Sequence, residues 1–384
     1  MIETKFKDTE IGKIPQDWEV IPLGSVGEPL MCKRIMKWQT NNSGGIPFYK
    51  IGTFGRKADA FIDKNTFEYY RTHFNYPNRG DILISAAGTI GRIVAYDGTP
   101  AYFQDSNIVW ISNNQTKALN AFLYYYYKIV KWNTEDGGIV TRLYNENLKS
   151  TLIAVPSLSE QRRIADALSK VDSLIESLDK LIAKKKAIKR GAMQELLTGK
   201  KRLPGFEGEW TYKRLGDISD IYQPETISQE RFIERGYPVY GANGIIGFYS
   251  KYNHHTDQIL ITCRGNSCGT VNYSRGKCWI TGNAMVVNLD NRIDCYKLFY
   301  YYYLTYLDLT TLVSGSGQPQ ITRKPVEYQK VVIPSLSEQR AIAHVLSTMD
   351  AEIDALKQKR DKIKQVKQGM MQDLLTGRIR LVDK

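Results

Sequence analysis

The residues able to do chemistry are scattered through this chain, and their spacing argues against a catalytic centre. Gly-Lys pairs begin at Gly12, Gly199 and Gly276, and are followed by Ile14, Lys201 and Cys278. None completes the G-x-x-x-x-G-K-[ST] loop that wraps a nucleotide phosphate, so an NTPase is not expected. No glycine-rich βαβ fingerprint for a dinucleotide or S-adenosylmethionine stands out, and no H-E-x-x-H or G-x-S-x-G occurs. The Asn/Asp-Pro-Pro-aromatic motif of an adenine methyltransferase is excluded, because the chain has no Pro-Pro pair. The five cysteines are Cys32, Cys263, Cys268, Cys278 and Cys295. An odd count in a long chain does not read as a disulfide framework. The C-x4-C-x9-C-x16-C spacing is not a familiar zinc pattern, although His254 and His255 lie just before it; buried free thiols fit better. His255 near Asp257 lacks a third member, and Gly315-Ser316-Gly317-Gln318 reads as a turn or a loop facing DNA.

Composition points to binding instead. Lys and Arg number 53 against 40 Asp and Glu, a net charge of +13, which suits an anionic partner such as nucleic acid or an acidic membrane surface. At 384 residues and 42% hydrophobic, the chain can build two domains with their own cores. The start, MIETKFKDTE, lacks the apolar core of a signal peptide, and no run of about 18 apolar residues exists to span a membrane. The cytoplasm is the expected compartment.

The elements that must position any binding residues are organised by a repeat. Val155 to Leu203 (VPSLSEQRRIADALSK…LLTGKKRL) aligns without a gap with Ile333 to Leu381 (IPSLSEQRAIAHVLST…LLTGRIRL), at a shift of 178 residues. Ile164, Leu168, Val171, Ile175, Leu178 and Ile182 alternate +4 and +3, as do Ile342, Leu346, Met349, Ile353 and Leu356, which is the seam of a paired helix. The seam frays past the middle, where Arg360 holds the position of Ile182 and Lys185 that of Ile363. Ser157 before Glu160, and Ser335 before Glu338, fit a capping box, with Ser159, Arg162, Ser337 and Arg340 in the first turns. Thr198-Gly199 and Thr376-Gly377 supply the stops. Some 40 helical residues make a rod of about 60 Å. The expected partner of each rod is the other copy, antiparallel, with one domain at each end of the pair.

The repeat extends into the domains. Trp18 with Leu23-Gly24 returns as Trp210 with Leu215-Gly216. Strands are expected at Ile46–Tyr49, Asp81–Ser85, Ile93–Tyr96 and Asn107–Ile111, and a helix over Ala118–Lys131. In the second half Pro238–Tyr240 stands for Pro47–Tyr49, Gln258–Thr262 for Asp81–Ser85, and Gly265–Thr270 for the Gly88–Arg92 turn. The expected fold is therefore α+β: two similar domains (1–154 and 203–332), each followed by a long helix (155–202 and 333–384), the helices pairing as an antiparallel coiled coil with pseudo-twofold symmetry.

These motifs resemble the DNA-specificity subunit of Type I restriction–modification systems. They are I-G-x-I-P-x-x-W-x-x-x-x-L-G at the start, [VI]-P-S-L-S-E-Q-R twice, L-L-T-G twice, and P-G-F-x-G-x-W-x-x-x-x-L-G-D before the second domain. Y-G-A-N-G-I-I-G (240–247) and S-G-S-G-Q-P-Q-I (314–321) resemble segments of its target-recognition domains. The first domain departs from the pattern at Asp136-Gly137-Gly138-Ile139-Val140. The resemblance implies that each target-recognition domain reads one half of a split, asymmetric DNA site. It implies that the helices set the spacer and dock two modification (methyltransferase) subunits, and that restriction (nuclease–translocase) subunits join them. The specificity subunit itself is then non-catalytic and holds no cofactor or metal; S-adenosylmethionine belongs to the partner that methylates adenine at N6.

Double-stranded DNA binding needs Arg and Lys for phosphates, and Arg, Asn or Gln for base edges. The candidates are Lys33, Arg34, Lys37, Arg56, Lys57, Arg71 and Arg92 in the first domain, and Asn243, Arg264, Asn266, Arg275 and Arg323 in the second. Arg92 and Arg264 flank the equivalent glycine turn. Tyr124–Tyr127 and Tyr300–Tyr303 fit packing better than base stacking. Lys184, Lys185, Lys186, Lys189 and Arg190, with Lys357, Lys359, Arg360, Lys362, Lys364 and Lys367, form either a solvated helix face or a surface for spacer DNA. The rival readings are an interaction scaffold and an enzyme with an unrecognised nuclease or methyltransferase site.

Overall fold

The computed structural model describes residues 4–132, 142–315 and 318–382. Asp136–Val140 and Ser316-Gly317, singled out above, lie outside them. The chain folds as two compact units, one of residues 1–177 with 360–384, the other of residues 178–359.

In unit 1, β1 (Gly27–Met31), β2 (Ile82–Ser85), β3 (Ile93–Ala95) and β4 (Ile108–Asn113) form an antiparallel sheet in the order β1-β4-β2-β3. All four residues of β2 are buried, because both faces of the sheet are covered. Successive side chains leave opposite faces of a strand. Thus Ile82, Ile84, Val109 and Ile111 pack with Phe122 and Leu123 of α1 (Asn120–Tyr126), while Leu83, Ile108 and Trp110 pack with Phe48, Ile62 and Tyr102 of a second sheet. The helix expected over 118–131 is this seven-residue α1; the β-branched Ile129-Val130 beyond it are weak helix formers. The long helix α2 (Leu158–Leu196) follows.

Unit 2 repeats the plan. β5 (Asp220–Tyr222), β6 (Ile259–Thr262), β7 (Val271–Tyr273) and β8 (Ala284–Asn288) are ordered β5-β8-β6-β7, again antiparallel. α3 (Lys297–Tyr306) matches α1, and α4 (Leu336–Leu374) is the second long helix. Both long helices have 39 residues. No helix among the described residues is long and apolar enough to cross a membrane.

The division of the chain falls inside both long helices, away from 154, 202 and 332, because each helix packs its two ends differently. Ile164 and Leu168 enter the unit 1 core beside Leu374 and Leu375 from the end of α4. Ile342 and Leu346 enter the unit 2 core beside Leu196 and Leu197 from the end of α2. Between these anchors Leu178, Ile182 and Ile353 are buried, and Val171, Ile175, Met349 and Leu356 are half-buried. The pairing is antiparallel in each unit. In unit 2, Lys185 meets Glu352 at 2.7 Å and Lys189 meets Asp350 at 2.5 Å. In unit 1, Lys367 meets Asp172 at 2.6 Å and Arg380 meets Glu160 at 2.8 Å. Gly199 and Gly377 stop the helices with φ of +69° and +71°, a left-handed conformation that glycine adopts without a Cβ clash.

The capping box is only half made. The Glu160 and Glu338 amides donate to Ser157 and Ser335 Oγ at 3.3 Å, as capping requires. The glutamate side chains do not return to the cap. Glu160 accepts from Trp18 Nε1 at 3.2 Å and pairs with Arg380; Glu338 accepts from Trp210 Nε1 at 2.9 Å and pairs with Arg202 at 2.5 Å. Both carboxylates are 1% exposed. A buried charge requires a partner of opposite sign and hydrogen bonds: Arg380 and Arg202 supply the charge, and the Trp18 and Trp210 indoles each donate one hydrogen bond.

Candidate nucleic-acid interface

Most of the polar candidates come from loops at one end of each four-stranded sheet. In unit 1 this is the end where β1 and β2 finish and β3 and β4 begin. The β2–β3 turn is closed by the Ser85 amide on the Arg92 carbonyl (2.8 Å) and the Gly91 amide on the Ser85 carbonyl (3.0 Å). Ser85 Oγ donates to the Thr89 carbonyl at 2.6 Å and accepts from the Arg92 amide at 2.8 Å. In unit 2 the same frame is Thr262 on Thr270 (2.9 Å) and Gly269 on Thr262 (2.8 Å).

That frame corrects the pairing of Arg92 with Arg264. Arg92 matches Thr270, on the far side of the turn, and Arg264 matches Ala87 on the near side. Ala87 forms an isolated bridge with Arg142, and Arg264 with Gln320. One residue further, the Leu143 and Ile321 amides donate to the Ala86 and Cys263 carbonyls at 2.9 and 3.1 Å. Arg142 and Gln320 are thus equivalent, 178 positions apart, and neither was among the sequence candidates. The signal that could have found them was the shift of the helical repeat, carried back into the domains. The unit 2 turn is one residue longer, which hides the match between turns.

Arg92 itself is half-buried and donates through Nη1 to the Phe54 carbonyl at 3.0 Å. It holds the turn that presents Arg56 and Lys57, both exposed. Lys33 and Arg34 leave the end of β1. Arg34 pairs with Asp105 at 2.8 Å, and the Lys33 ammonium sits 5.5 Å from the Phe74 ring. Lys37 follows on the same loop. Arg71 is on the Lys64–His73 helix, 3.8 Å from Glu68. His73 and Phe74, at the end of that helix, line a cleft of about 440 Å³ with Lys33, Arg34 and Asp105.

In unit 2, Asn243 is exposed at the tip of the hairpin formed by Tyr237–Gly241 and Gly244–Tyr249. The tip leans on the sheet: Thr262 Oγ1 and Asn272 Nδ2 both donate to the Ala242 carbonyl, the latter at 3.1 Å. The Gly265 amide reaches the Pro319 carbonyl at 3.1 Å. Asn243, Arg264, Asn266 and Gln320 therefore share one end of the sheet. Arg275 does not join them. It lies past β7 at the opposite end, paired with Asp257 at 3.2 Å and 4.7 Å from the Tyr273 ring. Arg323 opens the Arg323–Glu327 helix and is engaged with Glu327 at 2.6 Å.

The tyrosine runs hold the long helices. Tyr125 donates to Asp172 at 2.9 Å and Tyr302 to Asp350 at 2.8 Å, the same carboxylates that Lys367 and Lys189 approach. Tyr126 accepts the Ala154 amide at 2.9 Å. Burial pushes the Tyr126 and Tyr303 hydroxyls above their ordinary range.

The cysteines are all free and buried. Burial pushes the Cys32 thiol up to about 12, so it stays protonated and inert. His254 is buried, with Nε2 2.8 Å from Tyr222 Oη and Nδ1 2.6 Å from Asn253 Oδ1. Among the described residues no group of three or more His, Cys, Asp or Glu could hold a metal ion. The arrangement offers hydrogen-bond donors and positive charge on a rigid sheet end, which suits reading base edges and phosphates.

Comparison with known proteins bears on the family and the fold. The family model described as Type I restriction modification DNA specificity domain matches residues 15–187 and again 207–365. A putative type I restriction enzyme specificity subunit of Haemophilus influenzae is 56% identical over 160 residues, 42% of this chain and 42% of its own length. The putative type I restriction enzyme MjaX specificity subunit of Methanocaldococcus jannaschii is 28% identical over 99% of this chain and 97% of its own. In fold, the chain is similar to the crystal structure of a Type-I restriction-modification system S subunit from M. genitalium, with a TM-score of 0.66, 20% identity, and coverage of 97% of this chain and 98% of the other.

Proposed function

The chain belongs to the Type I restriction modification DNA specificity domain family, and from this premise we propose that it is the sequence-specific DNA-recognition subunit of a Type I complex. Each unit reads one half of a bipartite, asymmetric site. The observation that carries this reading is the shared sheet end with different polar groups on it. The backbone frames of Ser85–Arg92 and Thr262–Thr270 are alike, yet Ala87 and Arg142 in one stand where Arg264 and Gln320 stand in the other. A common scaffold with unlike donors is what two unlike half-sites require.

The paired helices set the distance between half-sites and dock two adenine-N6 methyltransferase subunits, which hold S-adenosylmethionine; restriction subunits complete the nuclease. The chain itself is non-catalytic, without cofactor or metal, and works in the cytoplasm. In support, the Arg, Lys, Asn and Gln side chains at the sheet ends bring hydrogen-bond donors, and the Asn and Gln amides acceptors as well, which suits base edges and phosphates.

The test is exchange. Replacing residues 203–332 with the second domain of another specificity subunit, then mapping methylation by the assembled complex, changes one half-site and leaves the other intact. A change in both halves, or methylation by the isolated chain, overturns the reading.

A further inference from the structure

Past β1 the backbone makes a loop that recurs past β5 with different side chains. In unit 1 a buried Ile35 precedes a single 3-10 turn, Lys37–Gln39. In unit 2 a buried Ile227 precedes the 3-10 turn Gln229–Arg231 by the same two residues. The first loop is fixed from both sides. The Met36 amide donates to Gln39 Oε1 at 2.9 Å, the Gln39 amide returns to the Met36 carbonyl at 2.9 Å, and Gln39 Nε2 reaches Tyr70 Oη at 3.3 Å.

This fixed turn presents Trp38 with 82% of its surface exposed, beside Met36 at 50%. Indole is among the largest apolar surfaces a side chain can offer, and leaving it in water is unfavourable unless a partner covers it. Its neighbours Lys33, Arg34 and Lys37 are basic, and residues 31–41 contain no acid. Lys33 and Lys37 form no ion pair with the described residues. At the matching positions of the second loop, Glu225 stands for Lys33, Thr226 for Arg34, Gln229 for Lys37 and Glu230 for Trp38.

That contrast selects the occupant. A protein subunit docking alike on both halves would meet like residues in both loops. A partner that differs between halves and carries negative charge is duplex DNA. Apolar side chains on a basic loop are the kind that enter an unstacked base step, where the lysines neutralise the flanking phosphates. We propose that Trp38, supported by Met36, packs its indole against an unstacked base step in the first half-site, a contact with no counterpart in the second. The proposal rests on the DNA-recognition reading above.

The experiment uses the full chain assembled with modification subunits, and a duplex carrying the sequence that complex methylates. 2-Aminopurine is placed at successive positions of each half-site. With the wild-type chain, one position in the first half-site brightens and none in the second. W38A loses that signal and binds on the order of 5- to 150-fold more weakly, the range for an aromatic–base stack. W38F keeps most of both, and K37Q lowers the salt slope but keeps the brightening. Equal affinity and equal fluorescence for W38A overturn the proposal while leaving the DNA-recognition reading intact. So does a W38A chain that fails to assemble with modification subunits yet binds DNA as before. A wild-type complex with no sequence preference overturns the reading itself.

Discussion

At the scale of single residues, the two buried glutamates explain the most. In the recurring Ser-Leu-Ser-Glu-Gln segment the first serine, the glutamate and the glutamine each have a structural task, and the last two are buried. Ser157 and Ser335 cap the helix, while Glu160 and Glu338 bind a tryptophan and an arginine. Gln161 and Gln339 satisfy loop backbone: each accepts an amide, from Leu119 at 2.8 Å and Tyr296 at 2.7 Å, and donates to Pro156 and Pro334 carbonyls at 2.9 Å. E160Q removes the buried carboxylate, but Arg380 keeps Asp17 at 2.6 Å, so the loss falls below the about 3–5 kcal/mol of a buried pair left with no counter-charge. The expected outcome is a lower urea midpoint for E160Q. E338Q also lowers the midpoint: Arg202 has no second acid partner among the described residues, though it is 26% exposed and keeps the Gly208 carbonyl at 2.7 Å. Equal midpoints for wild type and both variants would contradict the role assigned to the pair.

At the scale of elements, the basic character of the long helices divides in two. Lys185, Lys189, Lys357 and Lys367 are engaged with Glu352, Asp350, Asp354 and Asp172. Lys184, Lys186, Lys362 and Lys364 are exposed and form no ion pair among the described residues. The exposed Lys184, Lys186, Lys362 and Lys364 can meet spacer phosphates without breaking the cross-helix pairs of Lys185, Lys189 and Lys367. Changing these four to glutamine should lower the slope of log affinity against log salt by about 0.9 for each lysine that contacts a phosphate, with the recognised sequence unchanged. Filter binding at several salt concentrations measures it, and an unchanged slope assigns these lysines to solvent alone.

At the scale of the whole molecule, the proposed ruler makes a direct prediction. Deleting one heptad from α2 and the matched heptad from α4 keeps the +4/+3 register, so pairing survives. The site methylated by the altered complex should then tolerate a shorter spacer, and methylation mapping reads the change. An unaltered spacer would separate spacing from the helices.

Much of this was legible in the sequence. The internal repeat, the seam, the helix stops and the strands Ile46–Tyr49 and Ile82–Ser85 follow from local rules: hydrophobic period, capping chemistry and turn residues. The absence of catalytic motifs was legible for the same reason. What the sequence by itself determined is thus the set of elements and their twofold repetition, since each depends on residues close together in the chain. Only the tertiary structure decided which charges remain available. It sends Glu160 to Trp18 and Arg380, 142 and 220 positions away, in place of its own helix cap. It turns Arg92 inward to the Phe54 carbonyl, sets Arg275 at the far end of its sheet, and matches Arg264 to Ala87 and Arg142 to Gln320. Ion pairing and exposure depend on distance in space, and a repeat in the chain fixes that distance only where the loops have equal length.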